Sequence, residues 1–332
     1  MILLLATLGA TEHSNAQDPH FSQFYANPIY LNPAFAGTNI CPRLIINYRN
    51  QWPSIPGAFT TYNASYDQYF EKLSGGLGVL AMSDVAGEGS LTHNSISFMY
   101  AYRLRLDERD RNNITFGLQA SYFSKSLDWS KLTFGDQIDA RDGFIYQTQN
   151  IPGNHNVQYA DFSAGILYYS ERFYLGFATH HLTEPVNSFY DSDRSRHFMK
   201  FTVQTGYEIP VGGSSRGIYR EQYPYLFPSL IYQQQQNFHQ LNYGLYYHHT
   251  PMVVGLWYRQ FLSSPEAIGQ YSDAVVLLAG FEYDKMKIGY SYDITISRLS
   301  NVSGGAHEIS ITLKFNCPVQ PTRYRAIKCP SF

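Results

Sequence analysis

The sequence predicts an all-β chain, a single transmembrane antiparallel up-and-down β-barrel of about 14 strands, with about 12 or 16 as the neighbouring even counts. Three observations point to it. Charged residues make up 15% of the 332 residues and aromatics 16%, whereas soluble domains average about 25% charged. The mean hydropathy is only −0.29, and no apolar run approaches the roughly 20 residues a spanning helix needs. From residue 43 onward, apolar and polar residues alternate with period two, the signature of strands with two different faces.

Residues 1–16 read as a secretory signal peptide. An apolar core, Ile2–Ala10, runs into a small-x-small step at Ser14-Asn15-Ala16, although no Lys or Arg precedes Arg43. A buried N-terminal helix is the competing reading.

Residues 17–42 form an irregular N-terminal periplasmic or plug segment. It carries Asp18-Pro19-His20-Phe21-Ser22-Gln23-Phe24-Tyr25, then Asn27-Pro28, then Leu31-Asn32-Pro33-Ala34-Phe35-Ala36-Gly37-Thr38. The Asn-Pro steps interrupt both helix and ladder. Its aromatics are costly to leave in water, so the segment should pack into the lumen or against the barrel base. Asp18, Pro19, His20, Phe21, Phe24, Tyr25, Asn32, Pro33 and Phe35 are the candidate plug or docking residues, and both roles stay open.

The barrel is expected over residues 43–316. Strands are placed near 43–52, 59–70, 75–82, 94–106, 113–125, 160–169, 172–181, 199–210, 225–234, 240–249, 252–261, 273–283, 285–297 and 305–316. The last is the clearest, with Ile309, Ile311, Leu313 and Phe315 on one face and Glu308, Ser310, Thr312 and Lys314 on the other. Soluble sheets alternate too. Here the polar face carries Gly, Ser, Thr, Gln and scattered charge, as a wet lumen does. Connections alternate between short ones, such as Asp107–Asn112 and His249–Pro251, and long ones, such as Val85–Ser90, Trp129–Tyr159 and Thr183–His197. Gly212–Gln222 is a long exception on the short side. The even count places both ends of the barrel in the periplasm, and the sheet must close, because an open edge in lipid leaves N–H and C=O groups unpaired. Residues 317–332 form a short periplasmic tail.

Composition also excludes functions. A net charge of −2 and a pI near 6.6 leave no basic stripe for nucleic acid. The pairs His180-His181 and His248-His249 point to opposite faces of a strand, so neither pair chelates one ion. Asp136, Asp139 and Asp142 lack the EF-hand register and its terminal Glu. No nucleophile elbow, P-loop or C-x-x-C is present. The expectation is a non-enzymatic protein without cofactor or metal. A passive porin-like channel for small solutes is the alternative.

The cysteines are three, Cys41, Cys317 and Cys329, so at least one stays outside any intramolecular bridge. Local closure favours Cys317–Cys329. A bond from Cys41 to one of them is the competing arrangement, and three unpaired thiols are the third reading.

The segment Gln17–Thr38, together with Asn47-Tyr48-Arg49-Asn50-Gln51-Trp52, Leu132-Thr133-Phe134-Gly135-Asp136-Gln137-Ile138-Asp139 and Cys329-Pro330, resembles the PorP/SprF family of type IX secretion system outer-membrane proteins of Bacteroidota. The resemblance implies an outer-membrane barrel that serves secretion or surface attachment of cargo with a type IX C-terminal signal domain, gliding adhesins included. It also implies contact with a periplasmic ring of lipoprotein and partner subunits, and with outer-membrane lipid. It offers no catalytic residues.

Overall fold

The computed structural model describes residues 18–39, 41–87, 91–108, 110–139, 141, 143–148, 155–189, 196–211, 224–262, 272–296 and 304–317. The expected signal segment, and the tail from 318 onward with Cys329, lie outside them.

Fourteen strands close into one barrel. They are β1 (Arg43–Gln51), β2 (Phe59–Phe70), β3 (Gly75–Ala86), β4 (Leu91–Arg105), β5 (Asn113–Leu127), β6 (Asn156–Tyr169) and β7 (Phe173–His180). The second half comprises β8 (Lys200–Tyr207), β9 (Tyr225–Gln235), β10 (Phe238–His249), β11 (Met252–Phe261), β12 (Ser272–Tyr283), β13 (Met286–Thr295) and β14 (Ala306–Lys314). Each pairs antiparallel with its sequence neighbours. β1 closes on β14 from Arg43↔Lys314 to Gln51↔Ala306, which removes the edges that a sheet in lipid cannot leave open.

Alternation decides which face each residue takes. In β14, Glu308, Ser310 and Thr312 are buried in the lumen while Ile309 is exposed outward. Besides Tyr66, Phe98 and Phe162 at mid-height, outward aromatics stand toward both ends of the wall, Phe59, Tyr62 and Tyr122 at one and Phe70, Tyr207, Tyr283 and Phe315 at the other. These are the levels at which aromatic girdles meet the membrane interfaces.

Three strands run further than their sequence pattern suggested. β3 continues to Ala86 and β4 starts at Leu91, so Val85 and Ala86 belong to the ladder instead of to a long loop. β6 starts at Asn156, because its residues from Asn156 to Ala160 extend the ladder with β5, from Ser126 to Tyr122. β8 is interrupted at Glu208. Its register with β9 resumes at Ile209↔Leu226, and the lapse covers Tyr207 and Glu208, opposite Pro228 and Phe227, where Pro228 has no N–H to give.

The N-terminal segment lies inside the barrel. It folds as a 3-10 turn at Phe24–Ala26, one α-turn at Pro28–Leu31 and a second 3-10 turn at Pro33–Phe35. Pro28 and Pro33 open their turns, where the missing N–H costs nothing. The Asn32 side chain accepts from the Ala34 N–H and caps the last turn. The segment therefore satisfies much of its own backbone, which a chain crossing a lumen without a strand partner must do. It descends the full lumen. Asp18 sits at the end carrying the long 128–155 and 181–199 connections, and Gly37 sits at the short-turn end against Gly76.

Candidate functional site

The lumen wall is shaped to this segment. A Cβ on Gly76 would lie 2.2 Å from Ala36 O, one on Gly117 2.3 Å from Ala34 N, and one on Gly165 2.0 Å from Asn32 Oδ1. Gly117 and Gly165 are direct ladder partners, so β5 and β6 together make the flat strip on which Asn32, Pro33 and Ala34 rest. Asn32 Nδ2 donates to Ile166 O at 3.3 Å and Phe177 O at 3.2 Å. Thr115 Oγ1 donates to Ala34 O at 2.9 Å. Below them, Gly37 N donates to Asp67 Oδ2 at 2.9 Å, and Arg43 holds the same carboxylate through two bonds.

Aromatic residues fill the middle. Phe21 and Phe35 are almost fully buried. Phe21 meets Tyr30 edge-on at 5.3 Å, Phe24 meets Trp257 at 5.3 Å, Tyr25 meets Tyr246 at 5.3 Å and Phe35 meets Tyr174 at 5.9 Å. The three edge-to-face pairs, Phe21–Tyr30, Tyr25–Tyr246 and Phe35–Tyr174, add about 0.5–1.5 kcal/mol each beyond burial. The Pro19 carbonyl accepts from Tyr30 OH. His20 is held neutral, because burial and the cations Arg259, Arg49 and Lys200 keep its imidazole well below the usual histidine range.

Two polar clusters fix the upper half. In the first, Arg49 from β1 and Arg259 from β11 face Asp293 from β13 and Glu308 from β14. Arg49 Nη2–Asp293 Oδ2 is 2.8 Å, Arg49 Nη1–Glu308 Oε2 is 3.2 Å and Arg259 Nη1–Asp293 Oδ2 is 3.2 Å. Ser22 sits at its centre. Its N–H donates to Glu308 at 2.7 Å, its hydroxyl to Asp293 at 2.6 Å, and Arg259 donates to the same hydroxyl at 2.7 Å. Two cations and two anions balance, as burial of charge requires.

In the second cluster, Asp18 Oδ1 meets His197 Nε2 at 2.6 Å, while Oδ2 meets His181 Nε2 at 3.1 Å and Lys200 Nζ at 3.2 Å. His181 Nδ1 meets Asp161 Oδ2 at 2.7 Å, and Thr183 Oγ1 donates to the other Asp161 oxygen at 2.6 Å. Burial disfavours charge on both partners, but the neighbours overcome it. His181, Lys200 and His197 hold Asp18 well below the carboxylate range, and Asp18 with Asp161 pushes His181 up to about 9.

Asp18, His181 and His197 also place potential ligand atoms within 4.8 Å of one another. The two imidazoles, however, stack at 3.8 Å with their planes 17° apart. Their lone pairs therefore lie in nearly parallel planes and do not converge on one ion as tetrahedral ligands must. Lys200 on the same carboxylate adds a competing positive charge. The arrangement suits a clamped carboxylate, not a metal.

The structure thus gathers all nine candidate N-terminal residues in the lumen. Sequence reasoning missed the wall's half of the contacts: His197, Lys200, Asp161, Arg49, Arg259, Asp293 and Glu308. One signal was available. Arg49, Asp293 and Glu308 occupy inward positions of strands that alternate apolar and polar residues, and a charge there needs a partner within the lumen, as Arg49 finds in its ladder partner Glu308.

The cysteine expectation is corrected. Cys317 bonds to Cys41, with Cα atoms 4.4 Å apart. The local-closure argument overlooked barrel closure, which pairs Arg43 with Lys314 and so brings the two cysteines flanking the seam together.

No curated protein matches the chain. Among solved structures it is similar to the outer membrane protein Omp33 of Acinetobacter baumannii, at 8% identity and TM-score 0.44 over 83% of this chain and 99% of that one. It is also similar to a TodX mutant described as a monoaromatic hydrocarbon channel, at 10% identity and TM-score 0.47 over 87% and 94%. A Pseudomonas aeruginosa FadL homologue matches at 13% identity and TM-score 0.44 over 86% and 93%. A family model described as type IX secretion system membrane protein PorP/SprF matches residues 13–313. Together with the closed barrel, that match establishes an outer-membrane protein, and the chain belongs to the PorP/SprF family.

Proposed function

We propose that this barrel works by contact rather than conduction, as a non-enzymatic outer-membrane component of type IX secretion. In this reading it anchors or helps export cargo with a type IX C-terminal signal domain, of the adhesin or gliding type, and touches the periplasmic ring lipoprotein and its partner subunits. The observation that carries the reading is the occupied lumen. Residues 18–37 cross it from end to end, and two voids beside them, among the described residues, measure about 20 and 40 Å³, room for on the order of one or a few waters each. A passive porin needs a continuous aqueous path, and the filled lumen speaks against one.

Deleting the gene tests the proposal. Surface display of a dedicated cargo, or of all type IX cargo together, should be lost while the outer membrane stays intact. Normal display of every type IX substrate would overturn the reading. Single-channel recording of the purified barrel tests the alternative, since a porin conducts steadily and a plugged barrel does not.

A further inference from the structure

We propose that His181, His197 and Lys200 form a carboxylate-binding site at the long-loop end of the lumen, which the chain fills with its own Asp18 and a peptide carboxylate arriving at that end can take over. The donors are positioned by the barrel and its connections. Asp161 fixes His181 at Nδ1 and is itself held by Thr183. Tyr159 OH meets His197 Nδ1 at 3.3 Å, and His197 N donates to Pro185 O at 2.9 Å. His197 Nε2 is thereby turned toward the carboxylate, 2.6 Å from Asp18 Oδ1. Lys200 is the first residue of β8. The site is therefore preorganised for an anion whichever chain supplies it.

The occupant, by contrast, sits in the longest partly buried run of the N-terminal segment. Asp18, Pro19 and His20 are only partly buried, whereas Phe21, Ser22 and Gln23 are buried. The next anchor to the wall is Ser22, in the separate arginine cluster. Exchange at the site needs residues 18–20 to lift and the Tyr30 OH bond to Pro19 O to break, with Ser22 and the wall contacts below it in place. Being tethered, Asp18 competes at a high effective concentration, so an external carboxylate binds the wild type weakly and binds well once the resident acid is gone.

The test uses the full-length barrel in detergent, with calorimetry against three acetylated tripeptides. Ac-Ala-Asp-Ala-amide offers a side-chain carboxylate, Ac-Ala-Ala-Ala with a free C-terminus offers a terminal one, and Ac-Ala-Asn-Ala-amide offers neither. The variant Asp18→Asn should bind at least one acid roughly tenfold or more tighter than the wild type, and the amide control should not bind. Adding His197→Gln should erase the gain. The acid that binds identifies the source as a side chain or a chain terminus. Equal binding of the acids to wild type and variant, or binding of the amide as well as the acids, would overturn the proposal. Should Asp18→Asn fail to fold, the wild type decides: saturating acid peptide should increase proteolytic nicking at residues 18–22 and the amide should not, and no difference between them refutes it.

Discussion

Gly165 and Asn32 sit so close that a Cβ on the glycine would stand 2.0 Å from Asn32 Oδ1. Asn32 at once caps a turn of the N-terminal segment and donates to two strand carbonyls. A side chain at position 165 therefore displaces a group with three hydrogen bonds, with little room for it to move aside. Gly165→Leu should lift the segment from β5 and β6 at a cost of about 1–3 kcal/mol for overpacking, and should give conductance events that the wild type lacks. Ala164→Leu, whose side chain points outward, is the control and should stay closed. Identical recordings from both variants would refute the tight fit.

The hold on Asp18 should depend on pH, and the sign follows from the two shifts. His181 is raised from 6.5 to about 9. Its contribution is fully present below pH 6.5 and is lost as pH rises through about 9. Asp18 is lowered well below 3.8, so its contribution is present above that value and is lost as pH falls through the lowered one. Proteolytic nicking of residues 18–22 should therefore be slowest between about pH 4 and 6.5 and should quicken toward pH 9. His181→Gln should flatten the alkaline limb. An unchanged profile in that variant would assign the titration to another group.

The Cys41–Cys317 bond spans 276 positions of sequence. Closing so long a loop stabilises by about 5.6 kcal/mol on the chain-entropy model, a ceiling that measured disulfides seldom reach. Cys317→Ser should lower the temperature at which heat-modifiable migration is lost, and non-reducing peptide mapping of the wild type should yield the Cys41–Cys317 cross-link. A Cys317–Cys329 peptide in its place would refute the seam bond.

Orientation is testable on whole cells. Tyr146 is exposed in the long β5–β6 connection, and long connections of outer-membrane barrels face outward. An epitope inserted after Tyr146 should be labelled on intact cells. Labelling only after permeabilisation would invert the topology and place Asp18 at the periplasmic end.

The strands were legible because their signal is local. Alternation at Ile309, Ile311 and Leu313 against Glu308, Ser310 and Thr312 follows from the two-residue period of an extended chain between lipid and lumen, whatever lies elsewhere. The same logic carried the closure of the sheet, since lipid leaves no alternative. The sequence of Asp18–Thr38, rich in aromatics and prolines, likewise required a covered place to pack.

Where that place lies was decided only by the tertiary structure. Asp18 lies beside His197, Ser22 beside Glu308 and Cys41 beside Cys317 because a closed barrel brings positions hundreds of residues apart to one level of one lumen. Such proximity depends on the register of all fourteen strands together, and no period within a single strand encodes it. The glycines make the point most directly. In the sequence Gly117 and Gly165 are merely small residues on the inward face. They become the bed of the N-terminal segment only when β5 and β6 pair them side by side, because the missing Cβ atoms then leave one shared space that a backbone can enter.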